Sequence, residues 1–230
     1  MDAKTIRAAV RASLPVMAGY VVLGMGFGVL LQDQGYGFLW AILMSLTIYA
    51  GSMQYAALDL ISGGAGLITT ALMTLMINAR HFFYGLSMLD KYQKAGKAKP
   101  YLIFALTDET YSLVCSPAPE GTAETPYYFL VSLFDQLYWI TGSLLGALLG
   151  PILPFDSTGM DFAMTALFVV IFVEQWLSAK NHLPAILGVG ISVLCLVCLG
   201  PSRFVIPAMV GITLALALLR GKLEVQSHGE

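Results

Sequence analysis

Charge is what this chain of 230 residues has least of. Only 11% of it is Asp, Glu, Lys or Arg, against roughly 25% in a soluble domain, while 57% is hydrophobic and the mean hydropathy is +0.76. So thinly charged a surface is poorly solvated by water, and the composition points to an integral membrane protein in a lipid bilayer. Basic residues are no richer: twelve Lys and Arg stand against fourteen Asp and Glu. They are scattered over short connections and form no face for a nucleic acid. Cysteine is nearly absent, and Cys115, Cys195 and Cys198 build neither a disulfide nor a metal framework; the last two lie in "LCLVCL", where thiols pack as small apolar groups. No G-x-x-x-x-G-K-[ST] loop suggests a built-in ATPase, and no H-E-x-x-H spacing suggests a metal; the chain is read as a non-enzyme with no cofactor. The N-terminal "MDAKTIRAAVRASLPVMAGYVVLG" has the basic flank of a signal peptide but no small-x-small cleavage site, so it is read as a retained first membrane helix.

What is abundant is apolar sequence in long blocks. At roughly 20 residues per spanning helix, the hydrophobic segments are 14–31, 38–61, 67–89, 101–114, 126–150, 160–179, 183–199 and 204–219. The fourth is short and polar. The expected fold is all-α: a polytopic transmembrane helical bundle of seven to eight segments forming a single domain over 1–230.

Basic residues near the ends of short loops set the topology. Lys4, Arg7 and Arg11 place the N-terminus in the cytoplasm, and Lys91, Lys94, Lys97 and Lys99 place the loop after the third segment there too. Three full crossings cannot join two points on one side, so one of these segments either enters and returns on the same side or is not a membrane segment. The second is the best candidate, because Gly51, Ser52 and Gln54 interrupt its apolar run, and unwound backbone at membrane depth survives only in a cavity or inside protein. If the sixth segment also fails to cross, Arg220 and Lys222 lie inside and Arg203 outside. The two halves, 14–115 and 126–220, echo each other: "GMGFG" and "GSLLG" each precede a segment carrying a central glutamine, Gln54 or Gln175. Two readings stay open for that echo, an inverted repeat of the kind secondary transporters use or glycine motifs that mark close helix packing.

Polar residues inside the apolar blocks carry the functional reading. Arg80 lies about 11 residues before Lys91, hence roughly 16 Å deep from that end. A buried cation costs at least about 2.5 to 3.5 kcal/mol and needs an anion or a wet cavity. Arg80, Tyr84 and Ser87 share one helix face, with Asn78 and His81 on the adjacent arc. Asp108 and Glu109 sit about 12 Å in from Tyr101, at a depth similar to that of Arg80. Asp59, Asp135 and Glu174 raise the acids to more than one arginine can pair. Two readings follow: His81, Asp108, Glu109 and Glu174 carry protons through a transporter, or Arg80 and Asp108 form a static bridge and the other acids lie at wet helix ends.

Three pieces, "IYAGSMQYAAL" (48–58), "NARHFFYGLSML" (78–89) and "ALTDETYSL" (105–113), together resemble the AzlC-type branched-chain amino acid permeases, the large subunit of a two-component exporter. They lie in the first half; from Pro126 onward the likeness is one of hydropathy and spacing. The sequence departs from the expected pattern at Met53, where a small residue is usual, and at Asn78, where an acid is common. The resemblance implies export of valine, leucine, isoleucine and sometimes methionine across the bacterial cytoplasmic membrane, with a small AzlD-type membrane subunit as partner. For a zwitterionic substrate, Arg80 or helix N–H groups at Gly51 and Ser52 would receive the carboxylate. Asp108, Glu109 or Gln54 would receive the ammonium, and Asn78 and Tyr84 complete the expected binding set. Competing readings are a non-transporting membrane scaffold and an intramembrane hydrolase using Ser52 and His81.

Overall fold

The computed structural model describes residues 2–152, 169, 172–173, 176–177, 181–200 and 204–227. Every regular element among them is a helix. In chain order these are α1 (Ala3–Asp33), α2 (Phe38–Thr47), α3 (Gly51–Ser62), α4 (Leu67–Ser87), a 3₁₀ segment (Lys91–Ala98), α5 (Lys99–Phe104), α6 (Asp108–Val114), α7 (Glu124–Leu149), α8 (Leu183–Leu199) and α9 (Val205–Ser227). Among the described residues, Ala3–Asp33 is the one helix long and apolar enough to cross a membrane, and Phe38–Thr47, Leu183–Leu199 and Val210–Leu219 are shorter apolar helices. Among the described residues, the expected seven or eight segments therefore do not appear as that many long continuous spans. The chain divides into two compact units, Met1–Met164 and Thr165–Glu230.

In the first unit α1 lies along α7. The contact is close because the motifs "GMGFG" and "GSLLG" face each other across it. A Cβ on Gly24 would stand 2.9 Å from both Ser143 N and Trp139 O, and one on Gly142 would stand 2.6 Å from Val21 O. Hydrogens on both backbones let the axes approach where any side chain would hold them apart. These glycines thus have a packing reason for their spacing.

Two apolar runs are broken in mid-course. The run 38–61 separates into α2 and α3 at Ile48–Ala50, where Tyr49 takes φ +42°, a left-handed conformation seldom adopted by an aromatic residue. Gly51 then opens α3 against the face of Trp139, whose Cη2 would be 2.9 Å from an added Cβ. The run 101–114, expected as one segment, separates into α5 and α6 at Ala105–Thr107. Thr107 caps α6 by accepting from Thr110 N at 3.2 Å, and Asp108 and Glu109 occupy the first turn, where the helix dipole favours acids. Tyr49 and Phe104 approach with ring centroids 6.2 Å apart, so the two breaks are neighbours.

The basic stretch after α4 is the 3₁₀ segment, not an open loop. Lys91 donates from Nζ to Val114 O at 3.1 Å and also to Cys115 O, covering carbonyls at the end of α6. Tyr92 and Met88 are buried with Leu102, Val114 and Val131 in an apolar cluster. By contrast α4 buries none of its residues fully. Leu67, Ile68, Leu75 and Phe82 are 89%, 79%, 69% and 71% exposed, while Arg80 and Tyr84 are half-buried on the inner side.

In the second unit α8 packs on α9, with Ile191 against Gly211. Trp176 stacks on His182 at 4.2 Å. The thiols of Cys195 and Cys198 are free, in keeping with their apolar reading. The sixth segment falls largely outside the described residues, and so do Glu174 and Gln175.

Candidate functional site

The start of α3, the middle of α4 and the start of α6 meet at Arg80. Its guanidinium is a planar fork, and the two prongs serve different elements. Nη1 lies 2.9 Å from Asp108 Oδ2 on α6, and Nη2 donates to Ser52 Oγ on α3 at 2.7 Å. Tyr84, one turn along α4, donates its hydroxyl to Asp108 Oδ1 at 2.5 Å. Both oxygens of Asp108 are thereby held, one by a cation and one by a phenol. Tyr84 is fixed in turn by stacking on Tyr111 of α6, with ring centroids 4.5 Å apart and planes 12° from parallel.

The group is not sealed. The Arg80 side chain is 31% exposed and that of Asp108 15%. Arg80 also stands at the beginning of α3, where a helix presents N–H groups without internal acceptors and the positive end of its dipole. A cation at that end adds to the positive potential of the helix terminus, and Asp108 stands against it as counter-charge. A second carboxylate arriving from solution would be favoured there. Asn78, one turn before Arg80's neighbour His81, keeps its Oδ1 buried without a hydrogen-bond partner among the described residues, and so offers an acceptor. His81 sets its ring edge-on to Tyr84 at 5.8 Å. Ser52 accepts from Arg80, and no hydrogen bond joins it to His81 among the described residues.

Other expected site residues lie elsewhere. Gln54 is fully buried, accepts from Trp139 Nε1 at 2.8 Å and donates to Ser45 Oγ at 3.2 Å; Ser45 donates onward to Ser143 Oγ at 3.0 Å. Those bonds fasten α3 to α2 and α7 and do not reach Arg80. Gly51 meets the Trp139 ring, as described. Glu109 turns away from its neighbour Asp108 because successive helix residues point about 100° apart, and it accepts from Tyr20 of α1 at 2.8 Å. Asp59 is exposed near the end of α3.

Sequence reasoning counted Asp135 among the surplus acids but did not join it to Glu109, and it left out the hydroxyls between them. Tyr20, Thr107, Thr110 and Asp135 are all buried and joined by hydrogen bonds. Asp135 carried a signal, since it lies about 14 Å inside the segment beginning at Pro126. Tyr20, Thr107 and Thr110 did not, because hydroxyl residues are common in membrane helices and only a contact across helices distinguishes them.

The family model described as "AzlC protein" matches residues 15–153. The branched-chain amino acid transport protein AzlC of Bacillus subtilis strain 168 is 41% identical over 219 residues, covering 95% of this chain and 86% of that one. A protein of Helicobacter pylori strain 26695 named "Uncharacterized membrane protein" is 44% identical over 222 residues, covering 96% and 97%. Inner membrane protein YgaZ of Escherichia coli K12 is 26% identical over 165 residues, covering 68% and 67%. No solved structure matches. The chain belongs to the AzlC family. Its likeness to the Bacillus protein extends through the second half, beyond the three motifs that first carried it.

Proposed function

We propose that this chain is a multi-pass secondary transporter of the bacterial cytoplasmic membrane. It exports branched-chain amino acids (valine, leucine, isoleucine and also methionine), is coupled to protons, and acts as the large subunit beside a small AzlD-type membrane protein. The observation that carries the reading is the meeting of Arg80 with Ser52 at the start of α3 and Asp108 at the start of α6. Broken helices that present their ends to a shared point are the usual substrate site of secondary transporters. The substrate class is the one in the name of the Bacillus relative, a branched-chain amino acid transport protein.

In this reading the substrate carboxylate is received by Arg80, with Ser52 and the N–H groups opening α3 at Gly51. The ammonium is received by Asp108 and Asn78 Oδ1, and Tyr84 holds Asp108 in place. Gln54 keeps α3 in register against Trp139. His81, Glu109 and Glu174 are the proton-carrying candidates. The exposed apolar side of α4 serves lipid and the small subunit.

The test is efflux of labelled valine and leucine from cells carrying this chain alone, with an AzlD-type partner, or with the partner and Arg80→Ala, at equal membrane levels. Efflux that needs the partner and vanishes with Arg80→Ala supports the assignment. Efflux undiminished in the variant rejects it.

A further inference from the structure

Asp135 of α7 is wholly shielded from solvent, and no Arg, Lys or His is bonded to it among the described residues. One oxygen, Oδ2, accepts from Thr110 Oγ1 at 2.8 Å, while Oδ1 has no hydrogen-bond partner among the described residues. A permanent carboxylate is costly in such a place without a cation. The neighbouring hydroxyls form a line of contacts leading away from it. Thr107 Oγ1 donates to Thr110 Oγ1 at 3.0 Å. The Tyr20 hydroxyl lies 2.5 Å from Thr107 Oγ1 and donates to Glu109 Oε2 at 2.8 Å. Two carboxyl groups on different helices are thus connected through three buried hydroxyls.

We propose that Glu109 and Asp135 are the two ends of a buried proton relay whose links are Tyr20, Thr107 and Thr110, with Asp135 as the inner carboxyl that holds the transported proton. The inference rests on the proton-coupled transport reading and assigns it a path and an end point. Each transfer balances. The relay is loaded when Glu109 takes up a proton and donates it to the Tyr20 oxygen, which turns the Tyr20 hydroxyl from Glu109 to Thr107 Oγ1. The proton of Glu109 then passes to Tyr20 as that of Tyr20 passes to Thr107, that of Thr107 to Thr110, and that of Thr110 to Asp135 Oδ2. Glu109 is left as carboxylate and Asp135 as acid. Every hydroxyl ends with one proton, its direction reversed, and every electron pair stays on its own oxygen.

The surroundings tie this relay to the substrate site. Glu109 is faced by Asp108 of its own helix, Arg80 and Tyr84 of α4, Tyr20 of α1 and Tyr49; Asp135 is faced by Tyr20, Tyr49, Tyr101 of α5 and Tyr127 of its own helix, and the two carboxyls feel each other. His81 faces Arg80 and Asp108. A substrate carboxylate that draws Arg80 from Asp108 changes the charge beside Glu109, and with it which end of the relay favours the proton.

Full-length protein with its small partner subunit, in lipid vesicles, allows two readings: exchange of labelled leucine against internal leucine, and leucine accumulation driven by an imposed pH gradient with a trapped pH dye. For Asp135→Asn, gradient-driven accumulation falls about 100-fold, the low end for loss of a positioned proton-transfer group, while exchange stays within about twofold. The deciding variant is Thr110→Val, which interrupts the line without touching either carboxyl. It should lose gradient-driven accumulation but keep exchange, and Thr110→Ser should restore the accumulation. Parallel loss of both readings in Thr110→Val, or loss of neither, overturns the relay. Absence of leucine exchange in the wild type would reject the transport reading instead. Infrared spectra then decide the relay alone: a protonated-carboxyl stretch that disappears in Asp135→Asn and moves in Thr110→Val supports it, and one unchanged by both overturns it.

Discussion

Arg80 holds two elements with one side chain, and that division sets what its replacement does. Lysine keeps the charge but is a single point on a flexible stem, unable to reach Asp108 and Ser52 in the fixed geometry of a guanidinium. Arg80→Lys should therefore retain some transport at a level roughly 10- to 100-fold below wild type, the scale of one to two lost charge-assisted bonds, and Arg80→Ala should abolish it. Initial efflux rates at matched membrane levels measure both. Ser52→Ala removes one charge-assisted partner of Arg80, worth about 1.5 to 3 kcal/mol, so KM for leucine should rise roughly 10-fold or more with little change in maximal rate. Cys195→Ser should leave efflux nearly intact, since this thiol is bonded to nothing the site uses. The pairing of Arg80 with Asp108 was legible in the sequence because opposite charges stood at matching depths in apolar runs. Ser52 was legible as part of a helix break and a candidate binding position, but its bond to Arg80 was not, since no spacing along the chain says which hydroxyl a guanidinium on another helix will meet. Glu109 was grouped with Asp108 by adjacency, although a helix sends adjacent side chains to different neighbours.

At the scale of elements, the structure turns on helices that stop. The break between α2 and α3 was announced by Gly51, Ser52 and Gln54 within an apolar run. The break between α5 and α6 was not expected, although "TDE" has the form of a helix N-cap followed by acids in the first turn. Its signal was masked by the apolar residues on either side. The facing glycines of α1 and α7 were read both as an internal echo and as packing motifs, and their mutual contact gives the second reading a physical basis. Adding a methyl at Gly24 or Gly142 forces backbones apart that now nearly touch, an overpacking that costs about 1 to 3 kcal/mol. Gly24→Ala should lower the thermal midpoint of the detergent-purified protein, and the double variant with Gly142→Ala should lower it further. Gln54→Leu leaves Trp139 Nε1 and Ser45 without their partner, a loss of about 1 to 3 kcal/mol, and should likewise appear as reduced thermal stability. Its effect on KM should be smaller than that of Ser52→Ala.

At the scale of the whole molecule, low charge and long apolar blocks were enough to indicate an all-helical membrane protein, and three short motifs were enough to indicate the family. The number of spans was less legible, because several apolar runs are divided into pieces shorter than a membrane is thick. The strongly exposed apolar side of α4 is another property of the assembled molecule, invisible in a list of hydrophobic residues. Placing a charge there, as in Leu75→Glu, should reduce recovery of the chain with a co-expressed small subunit in affinity pull-down from detergent, while the same change at Leu39, an exposed residue of α2, should not. The proposed function rests on Arg80 and its neighbours receiving the carboxylate of a zwitterionic aliphatic substrate. Competition against labelled leucine exchange in the wild-type protein, by unlabelled leucine or by leucinamide, measures that dependence most directly. The account predicts that leucinamide, which has the same side chain and ammonium but no carboxylate, competes at least about tenfold more weakly, the equivalent of roughly 1.4 kcal/mol. Equal competition by the two compounds would contradict it.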